Sequence, residues 1–209
     1  MMDDRVDVYW PEDRARRGAV VLVAGYPDAG FERVVGCKFK EMPSNVAWAK
    51  RIAEAGLVAV AYSNREPVAD LHAVLRHVRQ SLGIGRVGLW AASGNAPLAL
   101  SALEQVQCAA LLYPYTIEVP EEAKKFGFVT PAAGEASACP ILLLRAGADA
   151  MPGLNETIVR FVLFALERDL PLTLVNRPGK PHAFDVAEGV VVPEVIDFLV
   201  RHLGGRSGW

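Results

Sequence analysis

A repeated switch of hydrophobic period constrains this chain more than anything else. Short uninterrupted apolar runs at 19–24, 57–62, 86–91, 108–113 and 140–145 each stop at turn-forming residues. Between several of them, apolar side chains recur every three or four positions, as Val68, Leu71, Leu75, Val78 and Leu82 do after Pro67. An unbroken apolar run suits a strand covered on both faces of a parallel sheet, and the longer period gives a helix with one buried face. Strands separated by helices predict an α/β fold with a mostly parallel central sheet and helices on both faces. Segment 5–10 alternates charged and apolar residues, as an edge strand does, and 172–175 is the last strand. Further helices are expected at 46–55, 96–103, 155–168 and 195–203, while 31–42 shows no clear period.

At 209 residues and 52% hydrophobic content the chain can bury the core of a single domain, and one domain over 1–209 is expected. Its formal net charge of −2, without a basic tract, predicts neither a nucleic-acid nor an anionic-membrane partner, and leaves a small molecule. No apolar run reaches the roughly eighteen residues of a membrane span, and the first residues are charged with no signal-like apolar segment, so a cytoplasmic protein is expected. Cys37, Cys108 and Cys139 are odd in number and widely spaced, which fits reduced thiols rather than disulfides or zinc ligands.

Two motif matches fail on context. His72 and His77 share a predicted helix but are five residues apart, whereas helical metal pairs stand three or four apart, so no metal site is expected. Gly83-Ile84-Gly85-Arg86-Val87-Gly88 spells a dinucleotide fingerprint but precedes a strand instead of following one, and no cofactor is expected. From 114 to 139 the period is lost in Pro, Gly, Glu and Lys, which predicts a short cap or loop excursion.

The chemistry centres on Ser93. In Gly88-Leu89-Trp90-Ala91-Ala92-Ser93-Gly94-Asn95, a buried strand ends at a serine followed by glycine and a helix. Such a turn can expose the hydroxyl and aim the next backbone N–H at the same space, although serine is equally suited to capping a helix. The usual Gly-x-Ser-x-Gly spacing is held here by Ala91 and Asn95. A serine nucleophile needs a base, and the base needs an orienting acid. His72, His77 and His202 fall in helices, which leaves His182 in a loop after a strand. Asp70 and Asp197 fall within helices and Asp169 at a helix end, whereas Asp149 directly follows the 140–145 strand. Each alone could be a turn residue; the order Ser, Asp, His after successive strands is that of the α/β-hydrolases.

The chain resembles that superfamily, and within it the dienelactone-hydrolase-like branch, from about residue 6 to 203. The resemblance is carried by Val-Leu-Val-Ala-Gly-Tyr-Pro, Gly-Leu-Trp-Ala-Ala-Ser-Gly-Asn, Leu-Leu-Leu-Arg-Ala-Gly-Ala-Asp and Pro-Gly-Lys-Pro-His-Ala-Phe-Asp. It implies the α/β-hydrolase fold with a short excursion after the sixth strand, and a serine esterase acting on a small ester, thioester or lactone. Ser93 would attack the acyl carbonyl, His182 would carry the proton, and Asp149 would orient the imidazole. The backbone N–H groups of Tyr26 and Gly94 would form the oxyanion hole. Asn95 departs from the family's glycine, and serine replaces the cysteine of dienelactone hydrolase itself.

The acyl pocket is expected to draw on Tyr26, Arg65, Tyr113, Tyr115, Phe126 and Phe128, with Arg65 placed to meet a substrate carboxylate. Arg145 is expected to pair a local acid. The alternatives are a binding protein that keeps the fold without turnover and an acyltransferase using the same residues. A homodimer is left open.

Overall fold

The computed structural model describes residues 5–116, 138–190 and 192–205. A seven-stranded sheet runs through them in the order β1-β3-β2-β4-β5-β6-β7. The strands are β1 (Val6–Tyr9), β2 (Ala19–Leu22), β3 (Val58–Tyr62), β4 (Val87–Ala92), β5 (Cys108–Leu112), β6 (Ile141–Ala146) and β7 (Leu172–Arg177). Only β1 is antiparallel to its neighbour, pairing Val6 with Tyr62 and Tyr9 with Ala59; the other pairs are parallel.

Every residue of β2, β3 and β5 is buried. Side chains alternate between the two faces of a strand, so both faces must be covered. The longer helices are α1 (Asp28–Val35), α2 (Pro43–Glu54), α3 (Pro67–Gln80), α5 (Leu154–Glu167) and α7 (Pro193–Leu203), with short α4 (Ala96–Leu100) and α6 (Phe184–Glu188). α2 packs on β3, α3 on β2, and α7 on β4 and β5. Proline opens α2, α3 and α7 at its first turn, where a missing N–H costs nothing.

Several expectations are corrected in detail. Segment 31–42 holds the later part of α1 and a single 3-10 turn, Phe39–Glu41. Its apolar period is blurred because Val34 and Val35 are exposed while Phe31 is buried. The helix after Ser93 stops at Leu100, and a 3-10 turn, Leu103–Gln105, replaces its predicted end. The last strand runs on to Arg177, and the loop expected over 178–185 ends early, because its last two residues open the helix Phe184–Glu188. The excursion falls between β5 and β6, one strand earlier than expected, and its residues 117–137 lie outside the described set. Arg145 donates to Asn176 Oδ1 at 3.0 Å and meets no acid among the described residues.

Strand order alone marks one place for a site. β3 lies on one side of β2 and β4 on the other, so the chain reverses its direction of growth at β2. Loops leaving neighbouring strands on opposite sides of the sheet part at that point and open a crevice at the carboxyl ends. The loop after β2 and the turn after β4 frame it, close to the Leu22–Trp90 pair.

Candidate active site

Ser93 stands on the turn where β4 becomes helix, with φ of 55°. Left-handed backbone is uncommon for a residue with a Cβ, and it is kept where surrounding structure enforces it. Here the Ser93 carbonyl accepts the Tyr115 amide at 3.2 Å and the 3-10 turn Ser93–Asn95 follows at once. The sharp turn gives the elbow geometry expected from the sequence.

Asn95 has a definite place in it. Its buried side chain accepts the Gly25 amide at Oδ1, 2.7 Å, and donates from Nδ2 to the Ala92 carbonyl at 3.0 Å. The elbow is thus tied to the loop that follows β2. The two segments approach so closely that a Cβ on Gly25 would lie 3.0 Å from Asn95 Cα. That loop is held from the other side as well. Asn64, fully buried after β3, donates to the carbonyls of Ala24 and Tyr26 at 2.7 and 3.1 Å. The Asn64 amide donates to Asp28 Oδ2 and the Asp28 amide to the Asn64 carbonyl, both at 2.8 Å. Burial pushes the Asp28 carboxyl upward, against the hydrogen bond from Asn64.

Asp149 stands in the loop after β6 and His182 in the loop after β7, its neighbour in the sheet. His182 Nδ1 lies 2.6 Å from Asp149 Oδ2, with the aspartate side chain fully buried and the imidazole a quarter exposed. Asp149 Oδ1 accepts the Met151 amide at 2.9 Å, so both carboxylate oxygens are engaged. An ionised carboxylate can only accept, so Nδ1 is the donor in this contact, and in the neutral imidazole Nε2 is then the acceptor. The two loops are joined by backbone: Gly147 N–H donates to the Arg177 carbonyl at 2.8 Å and Ala148 N–H to that of Lys180 at 3.0 Å. A Cβ on Gly147 would lie 2.5 Å from the Pro178 carbonyl oxygen, which explains the glycine.

Ser93 and His182 line one cavity of about 190 Å³, small beside ordinary drug-sized pockets of roughly 300 Å³ and more. Phe31, Phe39, Met42, Trp48 and Trp90 form much of its wall. The Ser93 hydroxyl has no hydrogen-bond partner among the described residues. Tyr113, at φ of 36°, sets its ring edge against the imidazole with centroids 4.8 Å apart. Its hydroxyl donates to Asp185 Oδ1 at 2.7 Å, while Trp48 Nε1 donates to Asp185 Oδ2 at 2.8 Å. Burial first, then the Asp185 carboxylate, drives the Tyr113 phenol far upward, so it remains a donor.

Of the residues expected at the pocket, Tyr113 lines this cavity. Tyr26 packs edge-on against Phe31, with ring centroids 6.1 Å apart. Arg65 lies instead on a separate cavity of about 450 Å³ with Asp28, Lys38 and Asn64, and Tyr115 is buried with its hydroxyl on the Pro152 carbonyl at 3.1 Å. Phe126 and Phe128 fall outside the described residues. A larger hollow of about 760 Å³ between residues 9–13 and α2 contains neither Ser93 nor His182. Trp48, Asp185 and Asn64 have parts that the sequence reading did not assign. Asp185 stands three residues after His182 in Pro-His-Ala-Phe-Asp, and only that proximity could have pointed to it.

No family model and no curated protein matches the sequence. The structure is similar to solved ones. A lidless α/β serine hydrolase from Xanthomonas campestris is 17% identical with TM-score 0.68, over 97% of this chain and 90% of that one. A serine hydrolase homologue from Coxiella burnetii is 19% identical with TM-score 0.64, over 95% and 90%. An esterase from Pyrobaculum calidifontis is 20% identical with TM-score 0.70, over 95% and 80%.

Proposed function

We propose that this chain, whose fold is that of the α/β-hydrolases, is a serine hydrolase cleaving a small ester, thioester or lactone. The observation that carries the reading is the joint placement of three residues. Ser93 stands on a left-handed strand-to-helix turn, and shares a cavity with an imidazole held at 2.6 Å by a buried carboxylate.

In this reading the Ser93 hydroxyl attacks the acyl carbonyl while His182 Nε2 takes its proton, and Asp149 stabilises the imidazolium that forms. Contact between serine and imidazole is made when substrate binds, as catalytic hydrogen bonds often tighten only then. The backbone N–H groups of Gly94 and Tyr26 receive the oxyanion, each such donor lowering the barrier by about 3 kcal/mol. Collapse expels the alcohol or thiol, protonated by His182, and water then releases the acid by the same steps. The solved structures it resembles include esterases and serine hydrolases, which supports the reaction class.

The test is covalent labelling with a fluorophosphonate probe, followed by peptide mapping and hydrolysis of short 4-nitrophenyl esters. An adduct on Ser93, lost in Ser93→Ala together with turnover, is the expected result. Absence of an adduct on the folded protein, under conditions where a control esterase reacts, overturns it.

A further inference from the structure

We infer that the Ser93 cavity takes uncharged acyl groups and rejects those bearing a free carboxylate, with Asp185 as the specificity-determining residue. Calling the ligand an acyl group rests on the serine-hydrolase reading; the charge selection rests on the cavity itself.

Asp185 is 3% exposed and lines the cavity, beside Trp48, Tyr113 and His182. Both its oxygens accept hydrogen bonds, and both donors, the Trp48 indole and the Tyr113 hydroxyl, are neutral. Neither donor carries a charge that could offset that of the carboxylate. The second anion of the region, Asp149, is buried against His182. No lysine or arginine stands among the described residues lining the cavity, and Arg65 belongs to a different one. The remainder of the wall is largely aromatic and aliphatic, a low-dielectric surround in which like charges are poorly screened. A ligand carboxylate entering this space would lose its hydration, meet no lysine or arginine among the described lining residues and face the Asp185 carboxylate. A neutral chain of the same length would lose only water. Specificity of this kind is built from the repulsive element.

Trp48 and Trp90 line the cavity and supply a readout that needs no turnover. Intrinsic fluorescence is titrated with pentanamide and, at matched ionic strength, with sodium pentanoate; kcat/KM is compared for 4-nitrophenyl pentanoate and mono-4-nitrophenyl glutarate. The expected result is a saturable response to the amide at least tenfold tighter than to the carboxylate, and a preference of at least tenfold for the neutral ester. Asp185→Asn should narrow both ratios. The replacement can keep both contacts, since its carbonyl accepts the Trp48 indole and its amide donates to the Tyr113 oxygen. Equal responses to amide and carboxylate, or a response to neither, overturn the proposal, as does a ratio that the folded variant leaves unchanged. Charge discrimination without hydrolysis of any ester would overturn the hydrolase reading and leave this inference standing.

Discussion

The Asn95 side chain accepts the Gly25 amide at 2.7 Å, so one residue couples the turn carrying Ser93 to the loop carrying Tyr26. A single bond thereby spaces the two segments that would supply the oxyanion donors. In Asn95→Gly the Gly25 amide and the Ala92 carbonyl lose their partner. Leaving a buried donor unpaired costs about 1–3 kcal/mol. The variant should unfold at correspondingly lower urea and hydrolyse esters more slowly through kcat. A parent-like urea midpoint would show that Asn95 holds nothing.

The backbone at Ser93 gives a second expectation. Left-handed conformation costs a residue with a Cβ roughly 1–2 kcal/mol and costs glycine little. Ser93→Gly should therefore be about 1 kcal/mol more stable than Ser93→Ala, although both lose probe labelling. Equal denaturation midpoints for the two would argue against strain at φ of 55°.

Gly147 tests the junction of the loops that carry Asp149 and His182. With the Pro178 carbonyl oxygen 2.5 Å from the added Cβ, Gly147→Ala must push backbone against backbone. A loss of about 1–3 kcal/mol is expected, typical of overpacking. The parting of the loops should also stretch the His182–Asp149 contact and lower kcat more than it changes KM, as steady-state kinetics would show.

Asp70 sets an acid-side limit on stability. Burial raises its carboxyl, but the amides of Arg65 and Glu66 and the Arg5 guanidinium outweigh it and hold the group below the ordinary carboxylate value. Its stabilising contribution is therefore complete above the unfolded value of about 3.9 and is lost as pH falls through the lower folded value. Asp70→Asn should be less stable at pH near 7, with a flatter decline of the urea midpoint into acid. A variant curve parallel to that of the parent would refute the linkage.

Much of this was legible in the chain because it depends on local chemistry. Unbroken apolar runs can only be doubly covered strands here, and the runs at 19–24 and 86–91 announced the strands that frame the crevice. Ser93, Asp149 and His182 stood out since each lies in a turn or loop that follows a strand. Asp185 did not, because its meaning comes from Trp48 and Tyr113, which are distant in sequence and meet it only in the fold. Asn95 looked like a defect for the same reason: its partner, Gly25, is 70 residues away. Arg65 follows its strand as expected, yet with Pro27, Asp28 and Asn64 it lines another cavity, which contains neither Ser93 nor His182.

The reversal of strand order at β2 has a consequence for how such a chain can change over time. The crevice is an address written in connectivity, since it exists wherever neighbouring strands send their loops in opposite directions, whatever side chains those loops carry. Chains only 17–20% identical can therefore share the fold, and with it the connectivity that opens this crevice. The position of the crevice is thus fixed by the order of the strands, and its lining by the side chains of the loops.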